Sequence, residues 1–123
     1  MNKIVHKDLS YQIINAAFGV HNTLGCGFLE KVYENALVIN LRKKRINCKQ
    51  QEAIKVIYEN EVVGDYIADI LVEDKIILEI KAVDQISDVH RAQVMNYLKA
   101  TKIKLGIIIN FAEPKLIYKR IVL

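Results

Sequence analysis

A chain of 123 residues, 52% hydrophobic and 26% charged, has the composition of one globular domain, 1–123, and is too short for two. One proline and five glycines exclude a linker or low-complexity tract. Two cysteines exclude a disulfide framework or a zinc site, and no apolar run approaches the ~20 residues of a membrane helix. The formal net charge of +4 admits a nucleic-acid partner without demanding one.

The opening "MNKIVHKDLS" is polar and lacks the apolar core of a signal peptide. With Cys26 and Cys48 read as reduced thiols, this predicts a cytoplasmic protein. Leu9, Ile13, Ala16, Ala17, Val20 and Leu24 recur at helical spacing and predict a helix over 8–23, with Asp8 or Ser10 as its cap. Gly25 and Gly27 break the pattern. A second helix is predicted from Phe28 to Lys44, with Leu29, Val32, Tyr33, Ala36, Leu37 and Leu41 facing inward. It ends in "RKKR", Arg42 to Arg45, which suits the negative end of a helix dipole.

The period then changes. "AIKVIYENEVVGDYIADILVEDKIILEIKAV" is rich in Ile and Val and predicts strands over 53–59, 61–72 and 76–82. Ser87 caps a third helix running to about Lys99. "LGIIIN", Leu105 to Asn110, reads as a strand covered on both faces, and "KLIYKRIVL" as a last strand. The predicted order is ααβββαββ.

Two carboxylates stand out in "YIADILVEDKIILEIKA". Side chains alternate along a strand, so Ile76, Leu78 and Ile80 share one face while Ile77, Glu79 and Lys81 share the other. If Glu73, Asp74 and Lys75 form the connection, Val72 lies opposite Ile76 and Asp69 opposite Glu79. Directly opposed like charges destabilise a sheet. A divalent cation removes the repulsion, and Mg²⁺ takes hard oxygen donors, usually with one or two protein carboxylates. The Ile80 carbonyl is a candidate extra donor. Lys81 can orient a water and stabilise charge on a phosphate. The alternative is a surface ion-pair cluster of little energetic worth.

On the third helix His90, Gln93 and Tyr97 are spaced by three and four and share a face. Glu30, in "LGCGFLEKVYENAL", falls in the first turn of the second helix. There it either complements the helix dipole, facing solvent, or points at Asp69 and Glu79. Tyr33, one turn on, is expected to flank the same pocket.

These residues resemble the PD-(D/E)XK phosphodiesterase superfamily, with its restriction-endonuclease-like fold: Asp69, then Glu79-Ile80-Lys81. Ala68 stands where the proline is usual. "QVMNY", Gln93 to Tyr97, is similar to the Q-x-x-x-Y signature of some nuclease domains. "GFLEKVY", Gly27 to Tyr33, is similar to the G-x-x-E-x-x-Y signature of one small bacterial family. The resemblance implies an α/β fold with an αβββαβ core, a mixed central sheet flanked by helices, one extra N-terminal helix and one extra C-terminal strand. It implies a nuclease using Mg²⁺ or Mn²⁺. Glu30, Asp69, Glu79 and the Ile80 carbonyl would hold the metal, Lys81 would position water, and Gln93 and Tyr97 would support the site.

The implied partner is nucleic acid, DNA ahead of RNA, gripped by Arg42 to Arg45 and Lys99 to Lys104 or left to a homodimer or protein partner to select. No membrane is involved. Two other readings stand beside this one: a binding module on a nuclease fold, and an oligomer pairing through the "KLIYKRIVL" edge.

Overall fold

Stretches of helical and strand period alternate along the chain, and each becomes one element. The structure, a computed structural model, describes residues 4–123; residues 1–3 of the polar opening lie outside the described residues. The elements are α1 (Lys7–Leu24), α2 (Glu30–Lys43), β1 (Cys48–Tyr58), β2 (Glu61–Val72), β3 (Ile76–Lys81), α3 (Asp88–Thr101), β4 (Leu105–Asn110) and β5 (Ile117–Val122). Their order is the predicted one. No helix among the described residues is long and apolar enough to cross a membrane.

The five strands form one mixed sheet in the order β1-β2-β3-β4-β5. β1–β2, β2–β3 and β4–β5 are antiparallel. β3 and β4 are parallel because α3 crosses over between them. Alternation along the central strands divides the core in two. Ile76, Leu78, Ile80, Ile107 and Ile109 pack under α1 and α2. Ile77 and Ile108 pack on the opposite face with Val94, Tyr97 and Leu98 of α3. Each such side chain, fully buried, stabilises the fold by about 1.5–3 kcal/mol.

Turn chemistry sets the joints. Gly25 and Gly27 take φ of 69° and 113°, the left-handed region a side chain disfavours, and swing the chain from α1 into α2. Tyr33 fixes that joint rather than flanking a pocket. It is fully buried, stacks on Phe111 with ring centroids 4.6 Å apart, donates its hydroxyl to the Gly25 carbonyl at 2.8 Å and accepts from the Phe28 N–H at 3.1 Å.

Several local expectations shift. β1 begins at Cys48, ahead of the predicted 53. As the sheet's edge strand it is held by its ladder to β2, and its half-buried and exposed residues give little hydrophobic signal. α2 begins at Glu30, so Leu29 is its extended N-cap residue and lies exposed, as does Val32. The inward stripe runs from Tyr33 through Leu37, Val38 and Leu41, and it includes Glu34. His6 caps α1 without a side-chain bond. Ser10 is instead buried within α1, where its hydroxyl accepts from Arg120 of β5. Ser87 does cap α3: its hydroxyl accepts from the His90 N–H, and His90 Nδ1 accepts from the Ser87 N–H at 3.1 Å. That reciprocal pair commits His90 to the helix end.

Gly106 of β4 lies beneath α3. A β-carbon there would collide with the Val94 side chain, a stiff branched residue on the helix. Gly106→Ala is expected to lower stability by about 1–3 kcal/mol by overpacking, read as a shift in denaturant midpoint at unchanged slope.

Candidate active site

β2 runs for 12 residues, but β3 pairs with only its last three, Ile70 to Val72. The ladder stops at Ile70 opposite Leu78. One step further in the same register stand Asp69 and Glu79. Here side chains replace the backbone ladder. The Asp69 N–H donates to Glu79 Oε1 at 3.3 Å, and the Ile80 N–H donates to Asp69 Oδ2 at 2.8 Å. Each carboxylate thus binds the opposite strand, and the two acids meet in the gap where the strands part. The N–H and C=O of a strand residue point to the same edge, so the Ile80 carbonyl faces this gap as well.

The pair is largely shielded from solvent. Glu79 is 5% exposed and Asp69 half-buried. Burial first, and then the Asp69 charge, push the Glu79 carboxyl up to about 8; the Asp69 amide and the Lys81 ammonium act in the other direction. Asp69 is also raised, by burial and by the charge of Glu34, against the Ile80 amide and Lys81. Lys81 lies two residues past Glu79 and so on the same face of β3. From α3, Tyr97 reaches this face. Burial, then Glu79 and Asp69, push its phenol up to about 12, while a hydrogen bond from the Gln93 side chain opposes the shift.

Glu30 takes a different position. Its Oε2 accepts from the Ala82 N–H at 3.0 Å, one residue beyond Lys81, so it faces the end of β3 although it is exposed. Among the described residues no set of three or more His, Cys, Asp or Glu side chains converges tightly enough to hold a metal ion. The acids brought together are therefore two, with Glu30 engaged by a backbone amide at the rim.

Two polar residues here escape a reading of the sequence. Glu34, one turn after Glu30, is 3% exposed. It accepts from Gln50 Nε2 at 2.7 Å, from Gln51 Nε2 at 3.2 Å and from Lys31 Nζ at 3.1 Å. Gln51, with a left-handed φ of 54°, falls between the paired positions Gln50–Ile70 and Glu52–Ala68, where the β1–β2 ladder skips a step at Asp69. The spacing of Glu30 and Glu34 by one helical turn was the available signal. Asn110, paired with Lys81 across β3 and β4, is 1% exposed. Its side chain donates to the Val83 carbonyl at 2.8 Å and accepts from the Val83 and Ala112 N–H groups, which fixes the loop leaving β3. Its signal was one polar residue closing an apolar run.

The raised Glu79 carboxyl has a consequence for stability. Between the unfolded value near 4.5 and the folded value of about 8, the native chain holds a proton that the unfolded chain has released. Stability from this group is therefore fully present at low pH and is lost as pH rises through that window. The metal-free wild type should lose melting temperature from pH 5 to pH 8 relative to Glu79→Gln, in which the slope is flattened. Parallel thermal melts across that range check it.

The chain matches the profile of the PD-(D/E)XK nuclease superfamily over residues 7–121. No curated protein matches it. Among solved structures it is similar to SSO0001, with a TM-score of 0.59 at 17% identity over 75% of this chain and 48% of that one. At that identity the likeness is one of fold, and the match spans about half the length of that structure. Because the profile runs from the start of α1 into β5, taking in both carboxylates, Lys81 and Tyr97, the chain belongs to the PD-(D/E)XK nuclease superfamily.

Proposed function

We propose that this chain is a divalent-metal-dependent nuclease that hydrolyses phosphodiester bonds in nucleic acid. The observation that carries the reading is the carboxylate pair: Asp69 and Glu79, each bonded to the opposite strand's backbone, with Lys81 on the same face. Superfamily membership supports the reaction class. The donor set suits Mg²⁺ or Mn²⁺. It offers two hard carboxylates and the Ile80 carbonyl, in a gap where the acids resist ionising together without a cation. Bound there, the ion would supply Lewis acidity and offset charge on the phosphate.

The protein groups then divide the work. Asp69 and Glu79 would hold the ion. Lys81 donates to the attacking water or to a phosphate oxygen, where its charge stabilises the building negative charge. Tyr97, protonated well above neutral pH, is a hydrogen-bond donor oriented by Gln93. Glu30 is the third acid of the proposal, with one oxygen anchoring α2 to the end of β3 and the other a further acceptor. We further propose one nuclease domain over 1–123, a preference for DNA, a cytoplasmic location and membership of the G-x-x-E-x-x-Y bacterial family. Sequence choice would fall to a homodimer or protein partner.

A second reading, nucleic-acid binding without turnover, draws on the gathering of only two acids. Cleavage of single-stranded, duplex and branched substrates with Mg²⁺ or Mn²⁺ separates the two. The nuclease reading expects cleavage by the wild type, a loss of roughly 100-fold or more in Lys81→Ala, and a weaker loss in Glu30→Gln. Binding with no cleavage under either metal supports the module. In thermal melts Mn²⁺ should stabilise the wild type but neither Asp69→Asn nor Glu79→Gln, while both variants stay at least as stable as the metal-free wild type. Unfolding of both variants would make the pair structural.

A further inference from the structure

We infer that the groove between the β1–β2 arm and α3 binds single-stranded nucleic acid, stacking an unpaired base on Tyr66 with the flanking phosphates on Lys99 and Lys102. The inference rests on the nuclease reading and names the form of its substrate. The groove encloses about 480 Å³ and is lined from β1 by Lys55 and Ile57, from β2 by Tyr66, and from the α3 end by Asn96, Lys99 and Lys102. That mixture of cations and one open aromatic face is what a single strand requires. Lysines track the phosphates, and a ring stacks any base without reading it.

The cations are available for this use. Lys55 is paired with Asp65 at 2.8 Å, whereas among the described residues neither Lys99 nor Lys102 is ion-paired. Lys102 takes a left-handed backbone at the α3 C-cap. Tyr66 is 43% exposed although its ring lies against that of Tyr97, with centroids 5.7 Å apart. Tyr97 in turn reaches the face that carries Glu79 and Asp69. A strand lying in the groove is thereby led past the open face of Tyr66, which the buried Tyr97 ring backs, toward the carboxylate pair. Duplex DNA offers no unstacked base to Tyr66.

The test is fluorescence anisotropy of the full chain in EDTA, so that binding is read without cleavage. The probes are labelled 15-residue oligo-dT, oligo-U and a duplex of the same length. Wild type is expected to prefer the single strands, and the dT and U arms report which sugar is favoured. Tyr66→Ala should weaken single-strand binding by roughly 5- to 100-fold, while Tyr66→Phe retains it. Lys99→Ala with Lys102→Ala should reduce the salt slope by about 0.7 per lysine. Circular dichroism confirms the fold of each variant. Equal binding by wild type and folded groove variants overturns the inference and leaves the nuclease reading intact, as does a preference for duplex. A change of oligomeric state in Tyr66→Ala on light scattering, with nucleic-acid affinity unaltered, assigns the groove to a second copy and also overturns it. A wild type that neither binds nor cleaves any of the probes removes the nuclease reading as well.

Discussion

Two carboxylates stand where a backbone ladder would otherwise continue. β2 and β3 pair through Ile70 and Leu78 and then part, and at the parting each strand's amide is taken by a side chain of the other. An Asn–Gln pair could make similar bonds without repulsion. Two acids make them at the expense of holding one proton between them in a buried gap. The rest of the site depends on this separation. It frees the Ile80 backbone from the ladder, it releases the β1–β2 ribbon to run on beyond its pairing with β3, and it leaves the two carboxylates on the sheet face against which Tyr97 of α3 packs.

The neighbourhood is built to withstand that charge. Glu34 adds a third buried acid nearby, yet Gln50, Gln51 and Lys31 all donate to it. Asn110 closes the loop after Lys81 with three backbone bonds. Among the described residues no buried side-chain nitrogen or oxygen lacks a partner. A fully satisfied polar layer of this kind is rigid, because any displacement leaves a buried group unpaired at about 1–3 kcal/mol. Rigidity is what keeps two like charges in one register.

Much of this could be read from the chain, and the reasons are specific. The three residues between Val72 and Ile76 fix the hairpin register, and a period of two then places Asp69 opposite Glu79. Ile76, Leu78 and Ile80 announce one core face, and the unbroken "LGIIIN" announces a strand buried on both. What stayed hidden depends on distant partners. Glu34 is buried only because Gln50 and Gln51 fold over it from β1, and Asn110 only because Val83 comes to it. Tyr33 looked like a site residue because it shares a face with Glu30. Phe111, far along the chain, draws it into the core instead. The start of β1 carries no hydrophobic period because its ladder to β2 and the side-chain bonds of Gln50 and Gln51 hold it.

The contacts of α1 carry an implication for how the chain folds. Arg120 of β5 donates to the Ser10 hydroxyl and, at 2.8 Å, to the Val5 carbonyl, across sequence separations of 110 and 115 residues. His21, at the other end of α1, bonds the Glu113 carbonyl at 2.8 Å. α1, made well before β5, therefore waits for that strand and for the loop preceding it before both its ends are tied. Closing such long loops slows folding, because their entropy is lost before the contacts form. Until the central strands are made, α2 is the element of this domain on which the inner stripe of α1 can pack. The α1–α2 hairpin, pinned by the Gly25–Tyr33 bond, is thus the unit that must hold together until the sheet arrives beneath it.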